Sequence, residues 1–310
     1  MSDGTKIEWT DATWNPINGC SVKSPGCTNC YAMKQAHRFP VRQGLTVKTS
    51  GGMVWTGAVS FNDKVLEQPL RWSRPRMIFV CAHGDLFHEN VPTKWIDLVF
   101  AVMAAAPQHK FQVLTKRPER MREYAYEAMG CGEHWLADCE RSHAPMWPLP
   151  NVWLGTSVED QKRADERIPI LLDTPAALRW LSMEPLLGPV DVEQWLHDEG
   201  CPATDTFCIC SEPREVRVDW IVAGGESGPK ARPMHPDWII GIQKQCEAAG
   251  VPFLFKQWGE HIADTICSDD VRSYQYPPGH VIYTKVGKKA AGRLLYGVEH
   301  NGFPTLTGDK

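Results

Sequence analysis

The chain of 310 residues carries 33 Lys+Arg against 37 Asp+Glu, a formal net charge of −4, with 43% hydrophobic and 23% charged residues. That balance excludes a disordered chain, and it also excludes a surface that is basic all over, so any nucleic-acid contact must be local. No apolar run approaches the roughly 18 residues of a membrane span, and the first eleven residues lack the apolar core of a secretory signal; a cytoplasmic protein with no membrane partner is expected.

Short apolar runs alternate with longer helical stretches along the chain, the pattern of a parallel sheet or barrel. Runs at 6–10 and 58–61 read as the first strands, followed by a buried strand at 78–82 and a helix at 93–106 with Thr93 as its N-cap. A strand at 111–115 leads to a helix opened by Pro118. Next come a strand at 151–155, a charged helix at 159–172, strands at 178–182 and 219–223, a helix at 236–249 and a last strand at 252–256. About eight β/α units fit a TIM-like barrel, complete or partial, spanning 1–260; a doubly wound open sheet is the alternative. Two inserts interrupt the rhythm, near 130–150 with Cys131, His134, Cys139 and His143, and near 199–217 with Cys201, Cys208 and Cys210. They could build a zinc or auxiliary iron–sulfur site or hold plain thiols. Residues 261–310 read as a C-terminal extension.

Eleven cysteines without a secretory signal point to thiols or metal ligands rather than a disulfide framework. Thirteen tryptophans read as core anchors, with an aromatic floor for a flat base as the second reading. The sharpest feature is Cys20-x6-Cys27-x2-Cys30, in a loop with Gly19 and Pro25-Gly26, followed by Tyr31 and a helix. Three close thiolates suit a [4Fe–4S] cluster with one iron left for the amino and carboxylate groups of S-adenosylmethionine. A zinc site completed by His37, or an electron-transfer cluster completed by Cys81, remain as alternatives.

Each strand ends in polar residues that a barrel would gather at one mouth: Asp85, Thr115, Lys116, Arg117, Ser157, Glu159, Glu184, Glu226, Ser227 and Lys256. Taken one at a time they read as ordinary caps of strand-to-helix loops. Two local basic groups, Lys116-Arg117-Arg120-Arg122 and Lys288-Lys289-Arg293, would admit an anionic substrate despite the acidic total.

The stretch KIEWTDATWNP at 6–16 together with PGCTNCYA at 25–32 resembles a phage-associated family of radical-SAM-like proteins with a three-cysteine motif. The same resemblance runs through DLFH at 85–88, LTKRP at 114–118, GTSVE at 155–159, SMEPL at 182–186, GGESGP at 224–229, FKQWG at 255–259 and GKKAAGRL at 287–294. The wider radical SAM superfamily carries C-x3-C-x-aromatic-C; here the first gap is six residues and the aromatic Tyr31 follows the last cysteine. The resemblance implies a (β/α) barrel with the Fe–S cluster loop after its first strand, Cys20, Cys27 and Cys30 as cluster ligands, and S-adenosylmethionine as cofactor. Tyr31, Thr115, Ser157, Glu159, Glu184, Glu226 and Ser227 would then bind the cofactor, and Asp85, Lys116, Arg117 and Lys256 the substrate. It further implies an external one-electron reductant and a DNA or nucleotide substrate, either a modified thymine whose glycyl-type substituent is rearranged or a thymine photoproduct under repair. A zinc-stabilised nucleic-acid-binding protein without redox chemistry is the reading from outside that class.

Overall fold

The computed structural model describes residues 4–5, 7–36, 42–130, 147–196, 216–265 and 281–305. Among these, seven parallel strands form one curled sheet, a half-barrel, whose order follows the chain: β1 (Ala12–Trp14), β6 (Met77–Val80), β7 (Lys110–Thr115), β8 (Val152–Ser157), β9 (Leu178–Met183), β10 (Trp220–Ala223) and β11 (Phe253–Phe255). Helices α2 (Thr93–Ala105), α3 (Pro118–Gly130), α4 (Gln161–Leu172) and α5 (Pro236–Ala249) return the chain between neighbouring strands. Sequential order with helical returns makes every strand parallel and leaves all carboxyl ends at one rim. The long passage from β1 to β6 holds β2 (Ile17–Asn18), α1 (Tyr31–Ala36), the hairpin of β3 (Thr46–Thr49) with β4 (Gly52–Trp55), and β5 (Ser60–Phe61).

Both faces of the sheet are covered, so its strands are buried on both sides rather than on alternate residues, as in β8, where all six residues are buried. The outer face packs Ile78, Val80, Phe111, Val113, Leu154, Leu181 and Ile221 against the helices. The inner face carries Phe79, Trp153, Trp180, Trp220, Val222 and Leu254, closed over by Trp9. Trp9 meets Phe79 and Trp180 edge-on, at 4.7 and 5.2 Å between ring centroids, an aromatic plug in place of a hollow barrel. Four of the thirteen tryptophans are therefore core anchors of the interior.

The sheet departs from the sequence reading at both early strands. Of the expected first strand at 6–10, the described residues 7–10 are not in the sheet: Thr10 turns the chain, its hydroxyl donating to the Met77 carbonyl at 3.0 Å, and Asp11 accepts from the Met77 N–H at 2.8 Å. Ile7 and Trp9 thereby drop into the interior cluster, and pairing with β6 starts at Ala12. The run at 58–61 supplies only β5, which pairs antiparallel with β2 outside the main sheet. Among the described residues the main sheet has seven strands, where about eight units were expected. Thr93 is the first helical residue of α2, after Pro92 in an extended conformation, rather than its cap. Helix α4 begins at Gln161, with the Asp160 carboxylate accepting from the Arg163 N–H at 2.9 Å.

The segment after 260 is tied into the body. Strands β12 (His261–Thr265) and β13 (Val281–Lys285) form a hairpin, and α6 (Lys288–Ala291) follows. The chain then runs back along β11, where the Phe255 N–H donates to the His300 carbonyl at 3.0 Å and the Gly302 N–H to the Phe253 carbonyl at 2.9 Å. This return strip covers an edge that would otherwise be open.

One glycine is dictated by the interior. Gly155 of β8 lies beside Trp180 of β9, and a Cβ at 155 would stand 2.5 Å from the indole nitrogen. Gly155→Ala is expected to lower stability by about 1–3 kcal/mol, the usual cost of overpacking a core. Urea unfolding checks this, and an unchanged midpoint would show that the tryptophan cluster can shift.

Candidate functional site

At the carboxyl rim the half-barrel opens into a cleft of about 570 Å³, and the thiols of Cys20, Cys27 and Cys30 all belong to its wall. The loop that carries them is wound by local geometry. Pro25–Cys27 forms a 3-10 turn, the Cys27 N–H donates to the Ser24 carbonyl at 2.9 Å, and the Cys30 N–H to the Cys27 carbonyl at 3.2 Å. Tyr31 then starts α1.

Groups from four strand ends fasten this loop. After β8, the Glu159 carboxylate accepts from the Gly26 N–H at 3.3 Å and pairs with Arg167 of α4 at 3.1 Å, both side chains almost fully buried. Gly26 lets the carboxylate approach closely, because a Cβ would lie 3.2 Å from its carbon and the side chain would have to give way. After β10, Glu226 accepts from both Arg232 Nε, at 2.9 Å, and Arg232 Nη2, at 2.6 Å. It also accepts from Asn29 Nδ2 at 2.9 Å, while Arg232 reaches the Pro25 carbonyl at 3.0 Å. After β6, the Ala82 carbonyl accepts from the Tyr31 hydroxyl at 2.7 Å. After β7, Arg117 donates to the Ser21 hydroxyl at 2.6 Å and to Cys20 Sγ at 3.7 Å.

The electrostatics follow from burial and from these partners. Burial pushes the Cys20 thiol up to about 12, with Asp85 adding to the rise and Arg117 opposing it, so the bare side chain is protonated at neutral pH. Burial, then Cys30 and Glu184, push the Tyr31 hydroxyl above its ordinary value. Burial and the nearby Arg42 cation bring His83 down to about 4, leaving a neutral imidazole in the cleft wall. For Glu159, burial alone would raise the carboxyl, but Lys116 and Arg167 outweigh it and hold the group below its ordinary value. Glu226 is likewise lowered, Arg232 and Asn29 overcoming its burial.

Of the residues singled out in the sequence, Tyr31, Asp85, Thr115, Lys116, Arg117, Ser157, Glu184, Glu226, Ser227 and Lys256 line the same cleft as the three cysteines. Glu159 does not: it stands behind the loop as a brace, with both oxygens engaged. Asp85 is also turned to structure. Its carboxylate accepts from Thr115 Oγ1 at 2.7 Å, the Lys116 N–H at 3.2 Å and Arg117 Nη1 at 2.9 Å, so a substrate would find it already occupied. Glu184 accepts from the Trp9 indole at 3.1 Å and pairs with Lys256 at 2.5 Å. Ser157, though only 3% exposed, and Ser227 both line the cleft, and neither has a side-chain hydrogen bond among the described residues.

The two basic groups do not form patches. Arg117 points inward, Arg120 donates to the carbonyls of His88 and Val91, and Arg122 pairs with Asp173. Lys288 pairs with Glu8 at 3.1 Å. Lys116 remains as a cleft lysine with no carboxylate in ion-pair range among the described residues. The bracing residues Asn29, Arg167 and Arg232 were missed in the sequence. Asn29, between two motif cysteines, was the one with a visible signal. Cys131, His134, Cys139, His143, Cys201, Cys208, Cys210 and His37 lie outside the described residues. The described cysteines, Cys20, Cys27, Cys30, Cys81 and Cys246, are free thiols. No described helix is long and apolar enough to cross a membrane.

Fold and site together define a parallel α/β half-barrel with a three-thiol cleft at its carboxyl rim. The chain belongs to the DUF5131 family of proteins of unknown function, whose model matches residues 4–304. No curated protein and no solved structure matches it.

Proposed function

We propose that this chain is a radical S-adenosylmethionine enzyme in which Cys20, Cys27 and Cys30 hold a [4Fe–4S] cluster. The observation that carries the reading is the placement of three thiols on one cleft wall, at the carboxyl rim of a parallel half-barrel, in a loop fastened by strand-end side chains. The donor set fits the group. A cubane spreads its ligands over several irons, so its thiolates need not converge on one point. Cys81 also lines the cleft among the described residues, but it is packed in the helix-side core, whereas Cys20, Cys27 and Cys30 come from the one loop.

When bound and reduced, such a cluster supplies the electron that cleaves S-adenosylmethionine into methionine and a 5′-deoxyadenosyl radical. The chain's own residues do the rest. The hydroxyls of Ser157 and Ser227 bind the polar groups of the cofactor. Tyr31, anchored through its hydroxyl, holds the start of α1 against the β6 end. Glu184, already bridged to Lys256 and Trp9, presents a fixed carboxylate above the aromatic plug. Lys116 offers its ammonium to an anionic substrate. The substrate class follows the sequence resemblance: a thymine in DNA bearing a glycyl-type substituent, rearranged after hydrogen removal at the stabilised α-carbon.

The test is anaerobic reconstitution with iron and sulfide, reduction in the presence of S-adenosylmethionine, and assay of 5′-deoxyadenosine. Formation of the nucleoside is expected, faster when a duplex carrying the modified thymine is added. A colourless protein with stoichiometric zinc and no nucleoside would overturn the reading and leave a zinc-stabilised binding protein.

A further inference from the structure

Behind Cys20 the protein buries an arginine whose position is over-determined. Arg117 is 5% exposed, and its guanidinium is clamped by Asp85 at 2.9 Å and by Glu89 on opposite sides. Its third direction is fixed by the Ser21 hydroxyl at 2.6 Å. What this rigid fork leaves facing the cleft is Nη1, shared between Asp85 and Cys20 Sγ, at 3.7 Å from the sulfur. A guanidinium held in this way is a fixed donor and a fixed positive charge, unlike a flexible lysine. Fastening the loop needs only the Ser21 contact; it does not need a cation against the sulfur.

We propose that Arg117 is a positioning residue that sets the reduction potential of the group held by Cys20, with Asp85 as its opposing partner. This rests on the iron–sulfur reading above. Hydrogen bonds to ligand sulfurs and local net charge are the levers by which a protein tunes an iron–sulfur potential. One-electron reduction adds a negative charge to the group, and the Arg117 charge and N–H stabilise that added charge. Asp85 acts in the opposite sense, both by its own charge and by drawing Nη1 toward itself. The electron comes from an external low-potential one-electron donor.

The experiment is a one-electron reductive titration followed by electron paramagnetic resonance on reconstituted wild type, Arg117→Lys, Arg117→Met and Asp85→Asn, with iron counted on each. The expected result is a more negative midpoint in Arg117→Met, an intermediate one in Arg117→Lys and a less negative one in Asp85→Asn. Mere loosening of the loop would move Arg117→Met and Asp85→Asn in the same direction, and that result overturns the inference. Unchanged midpoints in iron-replete variants overturn it too. If both Arg117 variants take up no iron while Asp85→Asn does, Arg117 seats the group rather than tuning it, which also overturns the inference. Wild type that takes up no iron–sulfur group overturns the iron–sulfur reading itself, and is recognised before any variant is compared.

Discussion

Cys27→Ala is expected to remove the brown colour of the reconstituted protein and abolish 5′-deoxyadenosine formation, while the unfolding midpoint in urea stays almost where it was. Both halves follow from where the side chain sits. Its sulfur lies on the cleft wall and meets only the Ser24 hydroxyl, at 4.0 Å, so truncation leaves no core cavity. Substitutions away from packed or paired positions shift stability by about 0.5 kcal/mol or less. The proposed cluster, by contrast, would lose one of its three ligands. Cys246→Ala is the matched control: that thiol is fully buried in α5 and is not part of the cleft wall. Its loss should cost about 1 kcal/mol and leave iron content and nucleoside formation intact. Iron retained by Cys27→Ala at the wild-type level would remove Cys27 from the ligand set.

The later strands and their helices were legible because periodicity and length agree there. Buried runs such as FQVLT and NVWLG are followed by amphipathic stretches long enough to return the chain, and each was placed to within two residues. The first strand was misread because Ile7 and Trp9 alternate as a strand does, yet their apolar side chains close the interior plug rather than join the sheet. That choice depends on contacts with Trp180 and Phe79, far away in sequence, which no local pattern contains. The site was legible in its members and not in their division of labour. Polar residues at strand ends converge in any half-barrel, which brought nine of the ten singled out to one cleft. Which carboxylates face a ligand and which face a cation is set by partners such as Arg167 and Arg232, and these sit on elements whose packing the sequence does not display.

Glu159→Ala is the variant expected to damage the protein most through its stability, at about 3–5 kcal/mol. It leaves Arg167, only 5% exposed, as a buried charge without its carboxylate. The Glu159 contact with the Gly26 N–H is lost as well, so the loop between Cys20 and Cys27 loses its tie to β8. These two effects separate in a double variant. Replacing both partners with apolar residues, Glu159→Met with Arg167→Met, removes the unpaired charge and should recover most of the stability, since buried pairs are often matched by well-packed hydrophobes. The Gly26 N–H stays without an acceptor in the double variant, so iron should still be held more weakly than in wild type. Acid gives the same separation without mutation. Because the folded carboxyl is held below its ordinary value, its contribution is present above the unfolded carboxylate pKa and is lost as pH falls through the folded one. Wild type should therefore lose stability on acidification from neutral pH through and below the ordinary carboxylate range, and the double variant should lose less over that window. Urea midpoints across pH, read alongside iron retention, decide it: equal acid sensitivity in the two proteins would place the titrating carboxylate elsewhere, and full iron retention in the double variant would show that the loop is held without Glu159.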